Sequence, residues 1–184
     1  MKKLTLNPAV RNLGLAEPER LSGLTRQSAA LEFFTDFTQV QPLLIESSTS
    51  AVEAQRLMQQ AHVRLKLVID REGAFQGVVS LDDLKDRKIV QKVSEGIGRD
   101  DISVRDLMTP VKDLFTLDFG EVAESTISDV IELLKDYGQQ HILVVDQHMH
   151  QVRGIFSASD ISRKLHLPID IQSTSNFFKV FAHM

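Results

Sequence analysis

The chain has 184 residues, of which 42% are hydrophobic and 25% are charged, a balance typical of a globular protein with a packed core. Its formal net charge of −4 argues against a nucleic-acid-binding protein, because such proteins carry a basic face. The absence of cysteine excludes disulfides, thiolate zinc sites and cysteine nucleophiles.

The N-terminal segment, 1–35, is expected to be an extension that precedes the main body. Its opening "MKKLTLNPAV" reaches Asn7 and Pro8 before the apolar region of a signal peptide could form. The apolar run "ILVV" (142–145) is far too short to cross a bilayer. We therefore expect a cytoplasmic protein that does not enter the membrane. The segment "SAALEFFTDF" (28–37) predicts an additional helix that packs on the core.

The next part of the chain, 36–93, predicts one β-α-β-β-α unit. Its strands are "PLLIE", "KLVID" and "FQGVVS", and its helices are "SAVEAQRLMQQA" and "LDDLKDRKIVQKV". The segment 94–103, with two glycines and a charge cluster, predicts a linker. Lys66 interrupts the second strand, so either its stem follows the sheet edge or it faces a ligand.

The part 104–167 predicts the same unit again, followed by a C-terminal extension, 168–184. Its strands are "DLFTLDF", "HILVVD" and "VRGIF", and its helices begin after Thr126 and at "SASDISRKL". Ser80 and Ser157 are 77 residues apart, as are Asp83 and Asp160. The chain is therefore expected to be an α/β (α+β) protein built from a tandem repeat.

Each unit closes with a Ser-x-x-Asp segment, in "GVVSLDDL" (77–84) and "GIFSASDI" (154–161). This spacing is typical of a helix capping box, which the chain also predicts at Ser50 with Glu53 and at Thr126 with Asp129. A second interpretation follows from the position after a strand, where a helix N-terminus favours phosphate and a carboxylate can accept hydrogen bonds from a ribose. The glycine lets a ligand or a neighbouring strand approach the backbone. The pattern leaves both interpretations open.

The duplicated unit, with "VRDLMTP" (104–110) leading into its second copy and "GIFSASDI" closing it, resembles the cystathionine-β-synthase (CBS) domain pair. The likeness extends over about residues 36–167. The first copy offers "TDFTQVQPLL" (35–44) in place of the Met-Thr-Pro lead, and both copies lack the proline common before the "VVD" strand. The resemblance implies a pseudo-two-fold body, as in small stand-alone bacterial CBS-domain proteins, that senses a ligand and performs no catalysis.

The resemblance also implies an adenosine nucleotide, or S-adenosylmethionine, bound between the repeats, with no required cofactor or metal. It assigns the ribose hydroxyls to Asp160 in one cleft and to Asp83 in the other, with Ser157 and Ser80 beside the ribose and phosphates. The remaining candidates are Thr109, Val111 and Lys112 in the lead segment, and His141 and Arg64 before the strands. A histidine that flanks a strand is more often a satisfied edge residue than a ligand contact, so His141 also has that interpretation. We expect the Asp160 cleft to be the occupied one.

Aromatic residues outside the repeats favour a homodimer. They lie in "FFKVFAHM" (177–184) and in 28–37, and a monomer rarely exposes so many. Packing of one end within the chain is the alternative. The protein that receives the signal is not identifiable from the sequence. A ligand-free dimerisation module, in which the Ser-x-x-Asp segments serve only as helix caps, is the competing function.

Overall fold

The computed structural model describes residues 23–171 and contains two four-stranded sheets with helices packed on them. The first half holds β1 (Thr35–Asp36), β2 (Leu44–Glu46), α1 (Ala51–Gln60), β3 (Leu65–Ile69), β4 (Phe75–Ser80) and α2 (Asp86–Ser94). The second half holds α3 (Val104–Leu107), β5 (Thr109–Pro110), β6 (Thr116–Asp118), α4 (Phe119–Ala123), α5 (Ile127–Asp136), β7 (His141–Asp146), β8 (Gln151–Ser157) and α6 (Ala158–Leu165). Three short 3-10 helices lie at Ala30–Phe33, Arg99–Asp101 and Val111–Asp113. The α/β repeat expected from the sequence is confirmed.

Each repeat lends its leading strand to the sheet of the other repeat. The strand orders are β2-β3-β4-β5 and β1-β8-β7-β6. Strand β2 runs parallel to β3, and β6 runs parallel to β7. The remaining pairs in both sheets are antiparallel. The two repeats are therefore tied together through their backbones.

A glycine makes room for each exchanged strand. Asp36 pairs with Gly154, and Pro110 pairs with Gly77. A Cβ at Gly154 would lie 2.2 Å from the Thr35 carbonyl oxygen, and one at Gly77 would lie 2.2 Å from the Thr109 carbonyl oxygen. The glycine of each Ser-x-x-Asp segment is thus required by a neighbouring strand, which was one of the two roles expected for it.

The hydrophobic core of each repeat also contains side chains from segments that lead into the other repeat. Ala30 and Phe33, which precede the first repeat, are buried in the core of the second. Ile102, Val104 and Leu107, which lie at the end of the linker and at the start of the second repeat, are buried in the core of the first. Separating the two repeats would return the apolar surface of these side chains to water, so their burial in the opposite repeat opposes separation.

The two long helices confirm the predicted amphipathic pattern. Helix α1 buries Ala51, Ala54 and Met58. Helix α5 buries Ile127, Val130, Ile131 and Leu134, while Tyr137 follows the helix end and is exposed. In α5 the predicted capping box is present, with the amide and hydroxyl of Thr126 donating to Asp129 at 2.8 and 2.7 Å.

Other local predictions differ from the structure. The capping box predicted at Ser50 is absent: Ser50 makes no side-chain cap on α1, and Glu53 forms a two-point pair with Arg56. The predicted helix over 28–37 is a 3-10 turn followed by β1, and the helix expected from residue 81 begins only at Asp86. The predicted strand over 113–119 ends in the short helix α4. The segment 177–184 and most of the N-terminal extension lie outside the described residues.

Candidate functional site

The two Ser-x-x-Asp segments begin at equivalent ends of the two sheets. β4 ends at Ser80, which pairs with Leu65, and β8 ends at Ser157, which pairs with His141. The residues after the strands are held in the same way, since the Leu81 amide donates to the Arg64 carbonyl and the Ala158 amide to the Gln140 carbonyl. The backbone therefore presents both segments alike, and differences between them arise from side chains.

In the first repeat the segment closes on itself. The amide and hydroxyl of Ser80 donate to Asp83 Oδ2 at 2.9 and 2.6 Å, and the Asp83 amide donates to Ser80 Oγ at 3.2 Å. Lys88 Nζ donates to the other carboxylate oxygen, Oδ1. The Asp83 side chain is only 15% exposed. Both oxygens of this carboxylate are engaged within the chain.

In the second repeat the Ser-x-x-Asp segment does not form this closed set of hydrogen bonds. Ser157 Oγ hydrogen-bonds Ser159 Oγ at 2.8 Å, and no hydrogen bond joins Ser157 to Asp160 among the described residues. Asp160 Oδ1 accepts from the Arg163 guanidinium at 2.6 Å. That arginine is 76% exposed and the Asp160 side chain is 37% exposed. Its Oδ2 has no hydrogen-bond partner within residues 23–171.

Two sequence differences account for this contrast. The position of Ser159 is occupied in the first repeat by Asp82, which pairs with Lys85 and leaves the Ser80 hydroxyl to Asp83. The position of Lys88 is occupied in the second repeat by Leu165, which is buried and donates nothing. Helix α6 also begins directly after Ser157, whereas turns separate Ser80 from α2.

His141 and Arg64 belong to the surroundings of Asp160. Burial lowers the pKa of His141, the Asp160 carboxylate acts to raise that pKa, and the Arg64 guanidinium acts to lower it. Because Arg64 lies at the start of β3 in the first repeat, these charges meet from both repeats. Of the predicted site residues, Ser157, Asp160, His141 and Arg64 therefore share one region.

Thr109, Val111 and Lys112 belong to the other end. Thr109 pairs with Val78, two residues before Ser80, and Val111 and Lys112 begin an exposed 3-10 turn. The corresponding lead beside Ser157 is Thr35, which pairs with Ile155. Thr35 was not predicted as a site residue because the first copy lacks the Met-Thr-Pro motif. The 74-residue spacing between "TDF" and "TPV" is the signal that could have found it.

The lead strand of the second site is held by an ion pair. Arg153 Nε and NH2 donate to the two Asp36 oxygens, each at 2.9 Å, and Arg153 lies 4.5 Å from the centre of the Phe119 ring. Hydrogen bonding from this guanidinium holds the pKa of Asp36 well below its usual range. In the first sheet Pro110 and Gln76 occupy the equivalent positions, so β5 has no such pair.

Contacts also define the roles of Lys66, Asp70 and Asp146. Lys66 Nζ donates to the Leu44 carbonyl at 3.1 Å, so its side chain follows the sheet edge. Asp70 and Asp146 accept amides of their own hairpin turns, as turn-forming residues do. Within residues 23–171 no helix has the length and apolar character of a membrane span, and no three His, Asp or Glu side chains are grouped to hold a metal.

The comparisons with known proteins agree with this architecture. The family model for the CBS domain matches residues 35–89 and 104–167. No curated protein matches the chain significantly. Among solved structures, an uncharacterized conserved protein from Pyrococcus horikoshii superposes with a TM-score of 0.57 at 23% identity, covering 81% of this chain and 100% of its own.

Two further structures contain ligands. CBSX2 in complex with AMP superposes with a TM-score of 0.54 at 27% identity, and the match covers 74% of this chain and 94% of CBSX2. The CBS domain pair of protein MJ0100, in complex with 5′-methylthioadenosine and S-adenosyl-L-methionine, superposes with a TM-score of 0.51 at 18% identity. That match covers 74% of this chain and 98% of the other.

Proposed function

The chain belongs to the CBS-domain family, and from that premise we propose that its second repeat binds an adenosine nucleotide as a regulatory ligand. Asp160 accepts hydrogen bonds from the ribose hydroxyls through its free Oδ2. Ser157 lies beside the ribose and phosphates. Arg64 and His141 provide the positive charge for the phosphates, since an anion stabilises a protonated histidine.

The observation that carries this proposal is the open state of the second Ser-x-x-Asp segment. Asp160 shares one oxygen with an exposed arginine, a contact of small value in water, so a ligand can displace that contact at little cost. The ligands named for CBSX2 and for MJ0100, AMP and S-adenosyl-L-methionine, support the adenosine class. Neither relative identifies the particular nucleotide for this chain.

We propose one nucleotide per chain, because the first segment lacks a free acceptor. A ribose at Asp83 would have to displace Ser80 and Lys88 from a carboxylate that is largely shielded from water. Thr109, Val111 and Lys112 then flank a closed end. In this proposal that end acts as a structural cap, and only the second end exchanges ligand.

The regulatory step follows from the position of Arg64. One ligand whose phosphate contacts Arg64 and whose ribose contacts Asp160 joins the two repeats, so its binding favours one packing of the repeats over another. A protein partner that recognises that packing receives the signal. A cytoplasmic homodimer, without catalytic activity of its own, is the setting we propose for this step.

A ligand-free dimerisation module is the second candidate. The closed box at Ser80 and Asp83 favours it, because there the motif already serves as a cap with no ligand. Exposed apolar side chains such as Phe115 and Tyr137 provide surface for an interface. This candidate predicts that the chain dimerises and that no adenosine compound alters its stability.

Calorimetric titration of the full chain with AMP, ATP and S-adenosylmethionine separates the two candidates. One of these compounds is expected to bind with one site per chain, and at about 100 times its dissociation constant to stabilise by about 2.7 kcal/mol. For a chain of this size the melting temperature then rises by roughly 5–10 °C.

Two matched variants test the assignment. Asp160→Asn is expected to weaken binding about tenfold or more, because it removes a charged acceptor, while its melting temperature without ligand stays close to wild type. Asp83→Asn is expected to lower that melting temperature and to leave affinity unchanged. Absence of binding by all three compounds, or loss of binding only in Asp83→Asn, contradicts the proposal. Light scattering of both variants reports the oligomeric state.

A further inference from the structure

A second cleft lies away from the Ser-x-x-Asp ends, at the carboxyl ends of β2 and β3. It has a volume of about 570 Å³, within the range of small-molecule pockets. Strand β3 begins beside Ser80 and ends at Ile69, so about 13 Å of strand separates the two regions. The residues that line the cleft are all polar, and they are Ser47, Ser48, Asp70, Arg71, Glu72, Ser103 and Arg105.

The positive charges of this cleft are not neutralised by ion pairs. Among the described residues, neither Arg71 nor Arg105 has a carboxylate oxygen within 4.0 Å. Arg105 NH2 donates to Ser47 Oγ at 3.2 Å, and Ser47 is only 2% exposed. The arginine is thus anchored at the cleft floor while most of its guanidinium donors stay available.

The carboxylates of the lining do not offset these charges equally. Asp70 Oδ1 accepts the amides of Glu72 and Ala74, and Oδ2 accepts from Gln76, so this carboxylate is engaged within its own turn. Glu72 is exposed and forms no ion pair with a described residue. The Ser103 hydroxyl donates to Asp106 at 2.7 Å, so the cleft offers two guanidinium groups, the Ser48 hydroxyl and one available carboxylate.

The second repeat fills the corresponding place. There helix α4 directly follows β6 and packs on β7 and on the Ala30–Phe33 turn. Phe119 of α4 lies 6.0 Å from Phe34, ring centre to ring centre, and Arg153 stacks over it while paired with Asp36. Among the described residues, this strand end is therefore followed by an open polar turn in the first repeat and by a packed aromatic residue in the second.

We propose that this cleft binds a small sugar phosphate. Arg71, from the β3–β4 turn, and Arg105, from α3, approach the phosphate from two sides, as guanidinium groups bind phosphate oxygens. Ser48 contributes a hydroxyl, since the Ser103 hydroxyl already donates to Asp106 at 2.7 Å, and Glu72 accepts a hydrogen bond from a hydroxyl of the sugar. The cleft volume exceeds that of a phosphate ion, which is why a phosphorylated sugar fits the lining better than the ion alone. This site is separate from the nucleotide site proposed above.

The test is a ¹H–¹⁵N NMR titration of the full chain with ribose 5-phosphate, with ribose and inorganic phosphate as separate probes. Ribose 5-phosphate is expected to shift the amides of Ser47, Ser48, Glu72 and Ser103 in a saturable way. Inorganic phosphate is expected to shift the same amides with weaker affinity, and ribose none. A saturable response confined to the Asp160 region, or no response of the cleft amides at millimolar ribose 5-phosphate, overturns the proposal.

Matched variants complete the test. Arg71→Gln is expected to weaken ribose 5-phosphate binding by about ten- to a hundredfold, the value of a charge-assisted hydrogen bond. Arg87→Gln, which removes an exposed arginine of α2, is the control for nonspecific charge and is expected to change nothing. Equal weakening by both variants contradicts the proposal. The Asp160→Asn variant is expected to retain the cleft response, so this site and the nucleotide site can fail independently.

Discussion

The two ends of the molecule that carry Ser-x-x-Asp have the same backbone setting and opposite side-chain states. At Asp83 the carboxylate is engaged by Ser80 and Lys88, and at Asp160 it is half open with one oxygen free. The motif is therefore compatible with a cap and with a ligand acceptor. Which one results depends on whether the next turn supplies a competing hydroxyl and whether the helix supplies a lysine.

The largest expected effects concern the glycines that admit the exchanged strands. Gly77→Ala and Gly154→Ala are each expected to lower the free energy of unfolding by about 2–4 kcal/mol, because a Cβ would clash with a carbonyl oxygen of the lead strand. At position 77 the alanine would also have to adopt a φ of +153°, which residues with a side chain adopt poorly. Urea unfolding measures both, and a neutral result at either position breaks the equivalence of the two exchanges.

The next effect separates the closed end from the open one. Asp83→Ala is expected to cost about 1–2 kcal/mol of stability, since it leaves Ser80 without its acceptor and Lys88 without its partner. Asp160→Ala is expected to cost less than about 0.5 kcal/mol, because its pair with Arg163 is exposed. Equal losses in thermal unfolding of the two variants contradict the contrast.

A smaller effect concerns the ion pair on the lead strand of the second site. Asp36→Asn is expected to cost about 1 kcal/mol, a value reduced by the partial exposure of Arg153. The pKa of Asp36 is lowered in the folded chain, so its contribution is present above the unfolded pKa of about 3.9 and is lost as pH falls through the folded pKa.

Unfolding of wild type and Asp36→Asn at a series of pH values checks this linkage. The difference between them is expected to persist from neutral pH to about pH 4 and to shrink only in stronger acid. Asp100→Asn removes an exposed carboxylate that forms no ion pair among the described residues, so it is the control and is expected to unfold like wild type at every pH. A difference that disappears already near pH 6 contradicts the assigned cause.

The smallest effect belongs to His141. Burial lowers its pKa in the folded chain, so the unfolded chain takes up the proton first, and stability falls as pH decreases through about 6.5. His141→Gln is expected to flatten this dependence, and His148→Gln, in an exposed turn, to leave it unchanged. Stability that rises on acidification in wild type but not in His141→Gln reverses the sign and refutes the assignment.

Much of the fold could be predicted because its long elements carry their own periodicity. "HILVVD" and "FQGVVS" are strands with the predicted bounds, and the buried face of α5 follows the predicted spacing. The exchanged strands β1 and β5 could not be predicted, because two residues carry no period. Their position depends on pairing with Gly154 and Gly77, which are far from them in the sequence.

The candidate site was only partly predictable for a related reason. The repeat spacing predicts Ser157 and Asp160 as site residues, and their role in ligand binding stays a prediction. The closed state of Asp83 depends on a hydrogen bond from Lys88, five residues away, and on the ion pair of Asp82 with Lys85. The capping box predicted at Ser50 is also absent, and there Glu53 pairs with Arg56 instead. Which donor pairs with which carboxylate depends on side-chain positions in three dimensions, and the spacing of residues in the sequence does not determine these positions.

A crystal structure of the chain with AMP tests the central claim most directly. The account predicts one nucleotide per chain, with its ribose hydroxyls on Asp160 and its phosphate facing Arg64 and His141, while the hydrogen bonds between Ser80 and Asp83 remain. A nucleotide seated at Asp83 with those bonds broken, or a chain that excludes AMP from Asp160 while binding it elsewhere, would contradict the account.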